Sequence, residues 1–99
     1  MGMGVSTVTQ EVFDYHQITS STNVCPVSGA LGGIFVSAAS ATPTITVYDS
    51  ATTGTSVTIV SIFTPTAGTY YKLPFYFSTG CYVVISGTVS CTVGTVGRY

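Results

Sequence analysis

Charge is what this sequence has least of. Its 99 residues include two Lys or Arg and three Asp or Glu, so charged side chains make up 5% of the chain, against about 25% in an ordinary soluble domain. They are Glu11, Asp14, Asp49, Lys72 and Arg98. Two cations cannot neutralise the run of phosphates on which nucleic-acid binding rests, and they cannot hold an anionic membrane surface. Neither nucleic acid nor a membrane is therefore expected as a partner. No apolar run approaches the roughly 20 residues of a membrane-spanning helix. Trp is absent and His occurs once. The three cysteines, Cys25, Cys81 and Cys91, form no CxxC pair, so a structural zinc site has no ligand set. An odd cysteine count, with no basic-then-apolar leader ahead of it, argues against a disulfide framework. All three are expected to be small buried hydrophobes in a product made in a cytoplasm.

Hydroxyls fill the space that charge leaves. Ser and Thr together number thirty and must supply most of the outward polarity. Such a surface hydrogen-bonds well and repels little, whereas a free monomer normally relies on charge for solubility. The chain is also short enough to bury only about 60–65% of its unfolded surface. Small folds of this kind are stapled by disulfides, metals or assembly. With the first two poorly supported, assembly remains.

No stretch has helical periodicity. Short runs of β-branched and aromatic residues alternate with Gly, Pro, Asn and Ser, and one composition runs throughout, which predicts a single β domain over 1–99. Residues 1–10 read as an extended N-terminal arm. Strands are expected at 12–18, 23–27, 34–38, 44–49, 56–63, 70–73, 74–77, 81–85 and 89–93, with 29–33 as a glycine-rich loop and 65–68 as a β-turn. Merging the least distinct pieces gives seven or eight strands. That number predicts an antiparallel β-sandwich of jelly-roll type, with a compact barrel as the alternative. The last two strands read as a hairpin across Ser86-Gly87-Thr88, which places Val83 opposite Cys91 and Cys81 opposite Val93. In that register Cys81 and Cys91 are diagonal neighbours, too far apart to bridge.

Catalytic residue types cluster once, at Asp14-Tyr15-His16. On a strand Asp14 and His16 share a face, and Cys25 could complete a triad, yet no nucleophile elbow accompanies them. The plainer expectation is a polar pair on an outer strand face or at a subunit contact. Glu11, Asp14 and His16 are three potential metal ligands, but a strand aligns only two of them. Gly29, Gly32 and Gly33 lack the Lys and Ser/Thr of a phosphate loop. No cofactor, no metal and no enzymatic activity are expected.

The most distinctive segment is the aromatic run at 70–77. Side chains alternate along a strand, so these rings cannot all face inward. Aromatics are enriched at protein interfaces, which makes Tyr70, Tyr71, Phe75, Tyr76 and Phe77 the candidate assembly surface. Exposed tyrosines could also serve as a carbohydrate platform, though one without Trp.

The segments TPTITVYD at 42–49, FTPTAGTYY at 63–71, Leu73-Pro74-Phe75 and TGCYV at 79–83 together resemble short β-rich structural proteins of tailed bacteriophages. The resemblance covers roughly residues 34–96 and leaves the N-terminal third unmatched. It implies a virion protein, in the first instance a capsid decoration or cement protein that sits as a homotrimer on the capsid surface. Its partner would be the major capsid protein or another virion protein. A small tail or neck component and a carbohydrate-binding module on the virion are the alternatives.

Overall fold

The fold is described from a computed structural model, over residues 13–97; the expected arm at 1–10, together with Glu11 and Arg98, lies outside the described residues. Six antiparallel strands account for nearly all of it: β1 (Asp14–Ile18), β2 (Thr22–Cys25), β3 (Gly29–Tyr48), β4 (Thr58–Phe63), β5 (Thr69–Phe77) and β6 (Cys81–Gly97). No helix interrupts them, as the β-branched and aromatic runs predict.

Two of these strands are unusually long, β3 with 20 residues and β6 with 17, and they pair along almost their entire length. Neither can be straight. Gly29 at the start of β3 pairs with Phe77, and Tyr48 at its end pairs with Tyr82. A straight strand of that length spans about 60 Å. The chain from Phe77 to Tyr82 can cover only about 17 Å. The two ends of β3 are therefore close together, and the strand folds back on itself.

The bend is visible in the ladder. Between the pairs Ser40–Thr88 and Thr44–Ser86 the register shifts, with residues 41–43 set against Gly87 alone. Ala41 and Thr42 both take left-handed backbone (φ 58° and 53°), and Gly87 does the same at φ 79°. A Cβ on Gly87 would lie 2.5 Å from the Ala41 carbonyl oxygen, so the corner also needs a residue without a side chain. Strands that change sheets through bulges are the usual way to turn a sandwich corner.

Cut at this corner, the chain has eight straight segments. In chain order the first pairs with the eighth (β1 with the end of β6), and the second with the seventh (β2 with the start of β6). The third pairs with the sixth (the start of β3 with β5), and the fourth with the fifth (the end of β3 with β4). That nested pairing wrapped into two four-stranded sheets is the jelly roll. The first sheet runs β1, β6, β3, β5 and the second β2, β6, β3, β4.

The core lies between the sheets. Leu31, Ile34, Val36, Cys91 and Val93 of the first face Ile45, Val47, Cys81 and Val83 of the second, with Phe77 the largest fully buried side chain. Ile45 and Val47 share the buried face that the alternation at 44–49 predicts.

Several sequence expectations need correction. The strands number six, because 34–38 and 44–49 are parts of β3, 70–73 and 74–77 are parts of β5, and 81–85 and 89–93 are parts of β6. The expected final hairpin does not form: Val83, Ile85, Cys91 and Val93 pair with Val47, Ile45, Val36 and Ile34 of β3. A Ser-Gly-Thr break serves equally well as a hairpin turn or a sheet corner, and either one buries the same alternate residues. Residues 29–33 are strand, not loop, with a bulge at Gly32. The turn before β5 is where it was expected, with Gly68 at φ 77° and its N–H donating to the Val36 carbonyl at 2.7 Å.

Candidate functional site

The outer face of the first sheet is built in rows that the ladder registers define. One row reads Tyr15, Gly94, Gly33, Lys72 across β1, β6, β3 and β5. The next reads Gln17, Thr92, Phe35, Tyr70. Because Val93 and Ile34 point into the core, their sequence neighbours Gly94, Thr92, Gly33 and Phe35 must point out.

Glycine gives this face its shape. A Cβ on Gly32 would meet the Phe13 ring at 2.7 Å, and one on Gly33 would meet the Tyr70 hydroxyl at 2.5 Å. The ends of these two rings therefore occupy the space that a side chain on either glycine would need. Tyr70 is anchored there by donating its hydroxyl to the Gly32 carbonyl at 3.3 Å. Glycines in strand interiors commonly mark such close approaches, and a cross-strand aromatic compensates for the missing side chain. The result is a low platform on which Tyr15 (76% exposed), Tyr70 (55%) and Phe35 present large apolar area to solvent. Lys72 is the one charge in these two rows.

Of the five rings singled out in the sequence, three are at the surface: Tyr70, Phe75 and Tyr76, the last 64% exposed. Tyr71 is half-buried, tilted against Phe63 with centroids 5.0 Å apart, and its hydroxyl accepts the Thr66 N–H at 2.8 Å. Phe77 is a correction. It is fully buried and belongs to the core, because it pairs with Gly29 where the two sheets close on each other. Sequence reasoning missed Tyr15 and Phe35. They come from other strands, and only the ladder sets Phe35 beside Tyr70 and Tyr15 on the same face; the signal available was a single ring on a strand whose neighbours are small.

A second feature lies at one end of the sandwich. A cavity of about 190 Å³ is lined by Asp14, His16 and Thr95 on one side and by Val24, Cys25 and Pro26 on the other. Asp14 and His16 do share a face, but it is the one that carries Ile18 into the core, with Asp14 exposed at its rim and His16 half-buried. They pair with Thr95 and Val93, which are buried, so the expected outer-face position is corrected. Crossing β6 at this point puts His16 Nε2 3.1 Å from the Thr95 hydroxyl. The Cys25 thiol donates to the Val27 carbonyl at 3.3 Å. Thiol and imidazole are thus each engaged with another group. Among the described residues, no three His, Cys, Asp or Glu side chains are grouped to hold a metal ion.

The remaining side-chain carboxylate among the described residues, Asp49, is structural. It accepts the N–H groups of Ser78, Thr79 and Gly80 and the Ser78 hydroxyl, at 2.8–3.2 Å. Partial burial raises its pKa, and these four hydrogen bonds together outweigh that and hold it below the usual aspartate value.

No protein-family model, no curated protein and no solved structure matches this chain.

Proposed function

We propose that this protein is a non-enzymatic structural subunit of a phage particle, a decoration or cement protein that binds the capsid surface as a homotrimer. The observation that carries the reading is the glycine-floored outer face with Tyr15, Phe35 and Tyr70 exposed together. Large exposed apolar patches mark protein contacts. Tyr and Phe are enriched in interface cores and charged residues are depleted there. The scarcity of charge over the whole chain supports the same reading, as does the sequence resemblance to phage structural proteins. In a lattice, many weak contacts of this kind act together.

Electron microscopy of intact particles tests it by locating the protein. Density on the outer capsid, with the platform against a neighbouring subunit, is the expected result. Density confined to the tail or neck moves the protein to the alternative role. Absence from the particle overturns the reading.

One observation favours a second reading. The Tyr70 ring reaches Gly33 with its hydroxyl end and remains 55% exposed, and an exposed tyrosine ring suits stacking on the apolar face of a sugar. Glycan-array binding that is lost on Tyr70→Ala would identify a carbohydrate-binding module.

A further inference from the structure

We propose that Cys25 and Cys81 are a closable cross-strand pair, a redox-dependent staple that fixes the edge strand β2 to β6. This inference is independent of the proposed function. The two residues are direct Cα partners in the β2–β6 ladder. Directly opposed antiparallel residues have Cα atoms about 4.5–5.5 Å apart, which lies within the range a disulfide spans. Both thiols are free and buried, Cys81 completely.

Placement gives the pair a purpose. β2 is only four residues long, its register slips between Asn23 and Cys25, and Pro26 follows at once. It is a short edge of the second sheet held by three ladder pairs, so a covalent tie to β6 adds directly to its anchoring. The loop it closes contains β3, β4 and β5 entire, which makes the entropic constraint on the unfolded chain large.

Access is unequal. Cys25 lines the 190 Å³ cavity, whereas Cys81 faces the core behind it. A small disulfide oxidant such as oxidised glutathione would therefore meet Cys25 first. The Cys25 thiol loses its proton and attacks one glutathione sulfur, forming a mixed disulfide and expelling one glutathione thiolate. The Cys81 thiol then loses its proton and attacks the Cys25 sulfur, which expels the second. Two thiols are oxidised and one glutathione disulfide is reduced to two thiols. Burial, then the neighbouring Cys25, then Asp49 push the Cys81 thiol up to about 12. Capping Cys25 removes the second of these three contributions, which favours this order of steps.

Cys91 provides an internal control. It sits on the first sheet opposite Val36 and Ile18, with no cysteine across from it in either ladder, and burial pushes its thiol up to about 11.

The test is incubation of the full native chain with oxidised glutathione, followed by intact mass and peptide mapping. The expected result is a mass lower by two hydrogens, a Cys25–Cys81 cross-link, free Cys91, and a Tm raised by on the order of 10 °C. Cys91→Ser should behave identically, and Cys81→Ser should stop at a glutathione adduct on Cys25. A wild-type product that keeps glutathione on Cys25, a cross-link through Cys91, or unreacted thiols would each overturn the proposal. These wild-type readouts decide the matter even if Cys81→Ser does not fold.

Discussion

Asp49 accepts the backbone N–H of Thr79 at 2.8 Å, and this contact ties the end of β3 to the short link between β5 and β6. It is where the folded-back sandwich is fastened. Replacing Asp49 by Ala leaves the N–H groups of residues 78–80 to water and should cost about 1–3 kcal/mol, read as a lower urea midpoint. The folded pKa is depressed, so the contribution is fully present above the unfolded Asp value and is lost as pH falls through the folded one. Wild type should therefore lose stability below about pH 4. Asp49→Asn should be less stable at neutral pH and should show less of this acid dependence.

Phe77 and Tyr76 are adjacent in sequence and opposite in role. Phe77→Ala removes the largest buried side chain and should cost about 3–5 kcal/mol, enough to unfold much of a small domain. Tyr76→Ala changes a ring that is mostly in water, so its thermal midpoint should stay close to wild type.

The corner at Gly87 should tolerate no side chain. Its φ of 79° disfavours an L-residue, and an added Cβ would press on the carbonyls of Ala41 and Thr42 at 2.5 and 2.7 Å. Gly87→Ala should destabilise by more than about 1 kcal/mol in thermal or urea unfolding. Gly68 also has positive φ but open space around it, so Gly68→Ala should pay only the backbone term and cost less.

If the aromatic platform makes the subunit contacts, the double variant Tyr15→Ser with Phe35→Ser should shift the protein toward monomer in light scattering while its circular dichroism stays unchanged. The contact should also respond weakly to NaCl, since Lys72 is the one charge in its two central rows. Sulfate should strengthen it, because excluded salts favour apolar burial. A strong loss of association with added NaCl would point to a different surface.

Much of this architecture was legible in local chemistry. Alternation at 44–49 marks Ile45 and Val47 as core, and Pro65 with Gly68 marks the turn before β5. The same alternation places Asp14 and His16 on one face, though it cannot say which face is inside. The hairpin error has a similar origin. Val83 and Cys91 alternate correctly for either partner, and burial is equally satisfied by each other or by β3. Nothing within a few residues of Gly87 distinguishes these choices.

The sequence by itself determined that the chain is an antiparallel β domain with scarce charge, an aromatic surplus and alternating core residues, because strand periodicity and turn chemistry act over a few residues. Only the tertiary structure decided that β3 and β6 each serve both sheets, that Phe77 is core, that Tyr15, Phe35 and Tyr70 share a face, and that Cys25 stands opposite Cys81. Each of these depends on which distant strands pair and in what register. That choice is made by closing the whole core at once, so no short stretch of sequence contains it.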